Sequence, residues 1–212
     1  MAVGTSTPGV YSTTTDSGAG TFSFNSLSEG DIATGTPVII FVDADGTTRA
    51  ALVTKASSTN SITDSNLYQD RVIVKHEGTT GTSTTIADLD IYDSEDDADV
   101  MFTASTTGNT LTILNGQELH IWSGTTFENA ASSTLSGGFH NDGGTFDNAS
   151  GTIKLTGTGE TLSGTLASTS ALGNIEVQGS YTASNNASTT SLTIESGGSF
   201  VREGSQDEGA EA

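Results

Sequence analysis

From about residue 84 onward the chain keeps returning to one motif: a brief run of alternating apolar and polar residues, then a turn of Gly, Asn and Ser. The runs are TTIADLDIY, DVMFTAS, NTLTILN, QELHIWS, TIKLTG, NIEVQG and SLTIES. In the last three the apolar positions fall two apart (Ile153 and Leu155, Ile175 and Val177, Leu192 and Ile194), with Thr, Lys or Glu between them. Alternation of that kind puts one side of a strand in a core and the other in water. Each run is too short to bury its own apolar side, so neighbours must stack. A parallel β-helix does this with coils of roughly 20 residues whose inward positions form ladders. The expected fold is therefore all-β, a parallel β-solenoid preceded by an N-terminal β-hairpin region. An antiparallel β-sandwich of many short strands is the alternative.

Composition agrees with a repetitive β protein. Hydrophobic residues are only 33% of the 212, and Thr, Ser, Gly and Asn fill the difference. Thr suits a strand because its branched Cβ fits the pleat. Charged residues are 15%, too few for a chain kept unfolded by self-repulsion. No stretch sustains a helical apolar period beyond about two turns. A net charge of −20 argues against nucleic acid, which needs clustered Lys and Arg, and against a polybasic membrane surface. No apolar run approaches the ~18 residues of a membrane span. Residues 1–25 lack the basic and apolar regions of a secretory signal. With no cysteine present, compartment cannot be read from disulfides, and a solenoid does not need them.

The chain divides into four expected segments. Residues 1–20, rich in Ser, Thr and Gly, read as a flexible arm. Residues 21–83 form an N-terminal β region or solenoid cap. TPVIIFV and TTRAALVTK flank Asp43-Ala44-Asp45-Gly46 there as a hairpin, and Asp70–Lys75 is a further strand. Residues 84–201 form the solenoid, and 202–212 are an acidic disordered tail.

Within the solenoid, Gly144, Phe146, Gly151, Ile153, Leu155, Gly157, Thr161, Leu162, Ser163, Gly164, Asn174 and Ile175 follow a pattern. It runs Gly-x-Phe, Gly-Thr-Ile-x-Leu, a Gly turn, Thr-Leu-Ser-Gly, then an Asn-Ile strand. This pattern, over about a third of the chain, resembles the β-helical repeats of large bacterial surface and cell-wall proteins of adhesin type. The stretch from Leu67 to Trp122 resembles segments of long surface proteins of uncultured small-genome bacteria. The resemblance implies an envelope-structural or adhesive role and supplies no catalytic residues.

The densest candidate site is Asp88, Asp90, Asp93, Glu95, Asp96, Asp97 and Asp99, seven carboxylates within twelve residues. Ca²⁺ takes six to eight oxygens and suits such a loop, although the glycine and distal Glu of an EF-hand are missing. A solvated acidic loop is the plainer reading. Trp122, with Tyr68, Tyr92 and Tyr181, offers a sugar-stacking platform, against ordinary core or edge packing. His76, His120 and His140 are far apart in sequence, with no spacing that marks a transition-metal site. Asn148-Ala-Ser150 and Asn186-Ala-Ser188 match the glycosylation pattern but read as turns. Thr pairs such as Thr110 and Thr112 would bind ice only if they registered over several coils.

No acid, base and nucleophile combine into a catalytic set. The expected function is a non-enzymatic, extracellular structural or adhesive surface module. Its partners would be other copies of itself or a cell-surface glycan. A self-assembling filament subunit and a carbohydrate- or ice-binding solenoid are the alternatives.

Overall fold

The computed structural model describes residues 1–3, 9–16, 18, 20–24, 32–43, 48–56, 62, 64–77, 83–129, 132–148, 151–184 and 187–203. It is an all-β solenoid of about six turns. The N-terminal strands are β1 (Ala2–Val3), β2 (Gly9–Val10), β3 (Pro37–Phe41) and β4 (Ala51–Lys55). The first full coil holds β5 (Arg71–Val74), β6 (Thr84–Thr85), a single helical turn α1 (Ile86–Leu89), β7 (Phe102–Ser105) and β8 (Thr110–Ile113). Two regular coils follow: β9 (Glu118–Ile121), β10 (Thr126–Glu128) and β11 (Ser132–Leu135), then β12 (Phe139–Asn141), β13 (Thr145–Asp147) and β14 (Thr152–Leu155). The next contains β15 (Thr158–Gly164), a 3-10 turn at Ser168–Ser170 and β16 (Asn174–Val177). The last strands are β17 (Ser180–Ala183), β18 (Ser191–Ile194) and β19 (Ser199–Arg202).

These strands stack into three faces. Face A runs β2-β1-β3-β4-β5-β9-β12-β15-β17-β19, face B runs β6-β10-β13, and face C runs β7-β8-β11-β14-β16-β18. From β4 to β19 every neighbouring pair on face A is parallel, with registers such as Leu119↔Phe139 and Tyr181↔Phe200. A coil is thus about 20 residues. The first one is longer, since Val72 pairs with Leu119, and α1, the acidic segment and the β7–β8 hairpin fill the excess.

Alternation in the sequence becomes ladders in the core. On face C, Ile113, Leu135, Leu155, Val177 and Ile194 stand in one column. The first four are buried. Phe127 and Phe146 stack on face B with ring centres 6.0 Å apart, and Phe139 meets Phe146 at 5.0 Å. Burying each such side chain contributes about 1.5–3 kcal/mol. This ladder is what lets a chain only one-third apolar hold a continuous core.

The recurring Gly and Asn turns are the corners. Where face C turns into face A, Gly137, Gly179 and Gly198 lie against the backbone of the coil before them. A Cβ at Gly137 would stand 1.6 Å from the Gln117 carbonyl oxygen, and one at Gly179 would stand 1.8 Å from that of Gly157. Between faces B and C, buried Asn129 donates to Asn148 Oδ1 at 2.8 Å, and Asn148 Nδ2 donates to the Leu172 carbonyl at 2.8 Å. These amides satisfy turn carbonyls that a corner would otherwise leave buried without partners.

Three expectations need correction. TTIADLDIY is not a strand beyond Thr84–Thr85, because Asp88 draws in the Thr85 N–H and hydroxyl and closes a helical turn. The first residues are not a free arm: Ala2 pairs with Ile39, and Met1 and Tyr11 exchange backbone bonds at 3.0 and 2.9 Å. Parallel stacking begins at β4, well before residue 84. The reason for the last two is shared. Met1, Val3, Val38, Ile40, Leu52 and Ile73 form a second core on the outer side of face A, covered by Tyr11, Phe22, Phe24, Ile32, Ile62, Leu67 and Trp122. The β3–β4 hairpin is antiparallel as expected, and its Asp45-Gly46 turn lies outside the described residues, as do 204–212 of the tail.

Candidate functional sites

The acidic segment seals one end of the solenoid. β7 is the outermost strand of face C, so half of its backbone groups have no strand beside them. Asp93 Oδ2 accepts the Ala104 N–H at 2.6 Å, and Asp90 Oδ2 accepts the Thr106 N–H at 2.9 Å and its hydroxyl at 2.6 Å. The Phe102 carbonyl accepts from Ser94 N at 2.9 Å. Asp93 Oδ1 also takes the Glu95 N–H at 2.7 Å. Burial pushes the Asp93 carboxyl above its ordinary range, against the pull of the Ala104 and Glu95 N–H groups.

The other carboxylates face elsewhere. Asp88 is buried against Lys55 Nζ at 2.8 Å, Asp96 accepts the Asp93 N–H at 3.2 Å, and Asp97 accepts the Asp99 N–H at 3.0 Å. Asp97 also lies 3.4 Å from the Tyr92 hydroxyl, and Asp99 lies 3.7 Å from Arg49. Burial and the Asp97 charge push the Tyr92 hydroxyl above its usual value. Of the seven carboxylates expected to gather around Ca²⁺, Asp88, Asp90, Asp93, Asp96 and Asp97 each accept a backbone N–H, Asp99 pairs with Arg49, and Glu95 is exposed. Among the described residues no three His, Cys, Asp or Glu side chains are grouped to hold a metal.

A second cluster lies on the outer side of face A. The β9–β12 register sets His120 beside His140, with ring centres 4.7 Å apart and planes tilted by 40°. Trp122 continues the row, 5.7 Å from His120, and is partly buried against the second core. Arg71 Nε meets Glu118 Oε1 at 3.0 Å, the same oxygen lies 3.4 Å from His120 Nδ1, and Arg71 stands over the exposed Tyr68 ring at 5.7 Å. His140 Nδ1 lies 2.7 Å from the Ser163 hydroxyl.

Burial alone would push the Glu118 carboxyl up. The His120 hydrogen bond and the charges of Arg71, His120 and His140 outweigh that and hold it below its usual range. Burial and the His120 charge lower the His140 imidazole. The spacing of the histidines hid this pair, since 20 residues is one coil. Of the tyrosines expected beside Trp122, only Tyr68 is linked to this row. Tyr92 stacks on Phe41 at 5.7 Å, and Tyr181 lies in the core.

Face C carries the small polar residues on its outer side. Thr110, Ser132, Thr152, Asn174 and Ser191 form one row, and Thr112, Thr134, Lys154, Glu176 and Thr193 another. The Lys154–Glu176 ion pair at 3.5 Å interrupts the Thr pattern that ice would require. Asn148 is buried and both ends of its amide are hydrogen-bonded, which closes it to glycosylation in the folded chain, and Asn186 lies outside the described residues.

At the opposite end of the solenoid the ladder is uncovered. Leu192 and Ile194, the inward residues of β18, are 44% and 49% exposed. Beside them Arg202 stands in the column that holds Leu162 and Ala183 in earlier coils. Among the described residues no helix is long and apolar enough to cross a membrane. Comparison of the chain with protein-family models, with curated proteins and with solved structures gave no match.

Proposed function

We propose that the chain is a non-enzymatic structural module of a bacterial cell surface, a stiff β-solenoid that spaces or displays adhesive contacts. One observation carries this reading: the inward ladder is unbroken from coil to coil, and on face C its first strand, β7, is capped by the chain's own carboxylates. Cross-strand backbone bonds and stacked side chains resist extension together, as a spacer requires. The net charge of −20 keeps such a rod hydrated and apart from its neighbours. The outer row around Trp122, with Tyr68, Arg71 and Glu118, is where a surface glycan would stack.

A second reading, in which further β coils cover the exposed Leu192 and Ile194, is a subunit that assembles with copies of itself. Unpaired strand edges and exposed ladder residues invite further β stacking. The sealed β7 edge works against head-to-tail filaments, and Arg202 weakens apolar contact at the open end. The spacer reading is therefore preferred.

Pulling the chain by its termini in an optical trap tests the proposal. A spacer unfolds at high force in increments of about one coil, beginning at β19. Unfolding in a single low-force step would refute it. Electron microscopy of the same sample separates the readings, with short single rods expected and long filaments supporting self-assembly.

A further inference from the structure

We propose that His120 and His140 together bind one divalent transition-metal ion on the outer side of face A. The two side chains come from adjacent strands in direct register, so their backbones hold them side by side. Nitrogen–metal bonds of 2.0–2.1 Å place two tetrahedral donor atoms about 3.3 Å apart, a spacing compatible with rings whose centres lie 4.7 Å apart.

The remaining bonds orient both rings for this task. The Nδ1 of His120 faces the Glu118 carboxylate, and that of His140 is tied to the Ser163 hydroxyl. A carboxylate opposite Nδ1 keeps the proton there and leaves the lone pair on Nε2, the arrangement that fixes a histidine ligand and raises its basicity. Glu118 is itself fixed by Arg71.

The second observation is His120 Nε2. This side chain is 6% exposed, and its Nε2 is buried with no hydrogen-bond partner. Buried polar atoms are normally paired, and an unpaired lone pair aimed beside a second imidazole needs an explanation. A metal ion reaching it past the half-buried His140 ring provides one. Imidazole donors select Zn²⁺, Ni²⁺ or Cu²⁺ over Ca²⁺ and Mg²⁺. Because no third His, Cys, Asp or Glu joins the pair among the described residues, water completes the coordination and binding is weak. The net charge of −20 raises the local concentration of divalent cations.

Zn²⁺ titration of the untagged chain, in excess Ca²⁺ to occupy the surface carboxylates, tests this by imidazole ¹⁵N resonances. The Nε2 signals of His120 and His140 should move together at one ion per chain while those of His76 stay still. H140A and H120Q should each weaken binding at least tenfold, and H76A should leave it unchanged. E118Q should weaken it several-fold while its circular dichroism matches that of the parent. Movement of His76 in parallel, unchanged affinity in H140A, or no imidazole response up to millimolar Zn²⁺ would overturn the proposal. H140A alters a half-buried outer side chain, so its circular dichroism should match the parent and keep the comparison valid.

Discussion

Asp93 accepts the backbone N–H of Ala104 at 2.6 Å, doing for the edge of β7 what a neighbouring strand does within the sheet. Asp93→Ala leaves that donor buried and unpaired, at a cost of about 1–3 kcal/mol. Glu95 is exposed, and Glu95→Ala should change stability by less than about 0.5 kcal/mol. Urea denaturation of the two variants checks the contrast. Asp90→Ala combined with Asp93→Ala should also expose the β7 edge and promote association, measured by light scattering.

Because the carboxylates are already engaged, chelation should leave the fold intact. We expect EDTA and millimolar Ca²⁺ to move the melting temperature by no more than about 2 °C, in keeping with the small gain from a weakly occupied site. A rise of 10 °C with Ca²⁺ would restore the acidic segment as a cation clamp.

The Tyr181 hydroxyl lies 2.6 Å from the Leu135 carbonyl and accepts the Gly157 N–H at 3.0 Å, binding three successive coils. Tyr181→Phe should cost about 1–3 kcal/mol by urea denaturation. Burial pushes this hydroxyl up to about 12. Ultraviolet difference titration should therefore find one tyrosine that ionises last, absent from Tyr181→Phe.

The ladders were legible because Ile153, Leu155, Ile175 and Val177 alternate over complete strands. The face B strands were not, since β10 and β13 are three residues long with one buried Phe each. Coil length also varies: Thr110↔Ser132 and Asn174↔Ser191 span different intervals. No fixed period therefore predicts which residues meet. That variation hid the Tyr181 bridge; His120 and His140 are one expected coil apart, but only the strand register places both on the outer side of face A. The acidic segment stood out by charge, but its role as an edge seal depends on β7 running antiparallel to β8, which local sequence does not specify.

Acid should loosen the outer side of face A. The His140 imidazole is lowered in the folded chain, so its contribution is complete above the ordinary histidine value of 6.5 and declines as pH falls below it. Glu118 is also lowered, and its contribution, present above 4.5, disappears as pH falls through its folded value. Asp93, raised by burial, opposes this decline as it takes up its proton. Thermal denaturation from pH 8 to pH 3 should show a loss beginning near pH 6.5, and His140→Gln should remove that first part.

Corner glycines should tolerate nothing larger. Gly179→Ala places a Cβ 1.8 Å from the Gly157 carbonyl oxygen and should cost about 3 kcal/mol or more, while Gly108→Ala, whose nearest neighbour is a Thr110 side-chain atom at 3.5 Å, should cost under about 1 kcal/mol. Thermal melts of the two variants make the comparison.

Residue-resolved amide hydrogen exchange tests the central claim, a solenoid whose β7 edge is sealed by its own carboxylates, most directly. The Ala104 and Thr106 amides should exchange as slowly as those of the central strands β11 and β14. Fast exchange at Ala104 and Thr106, on the timescale of exposed turns, would contradict it.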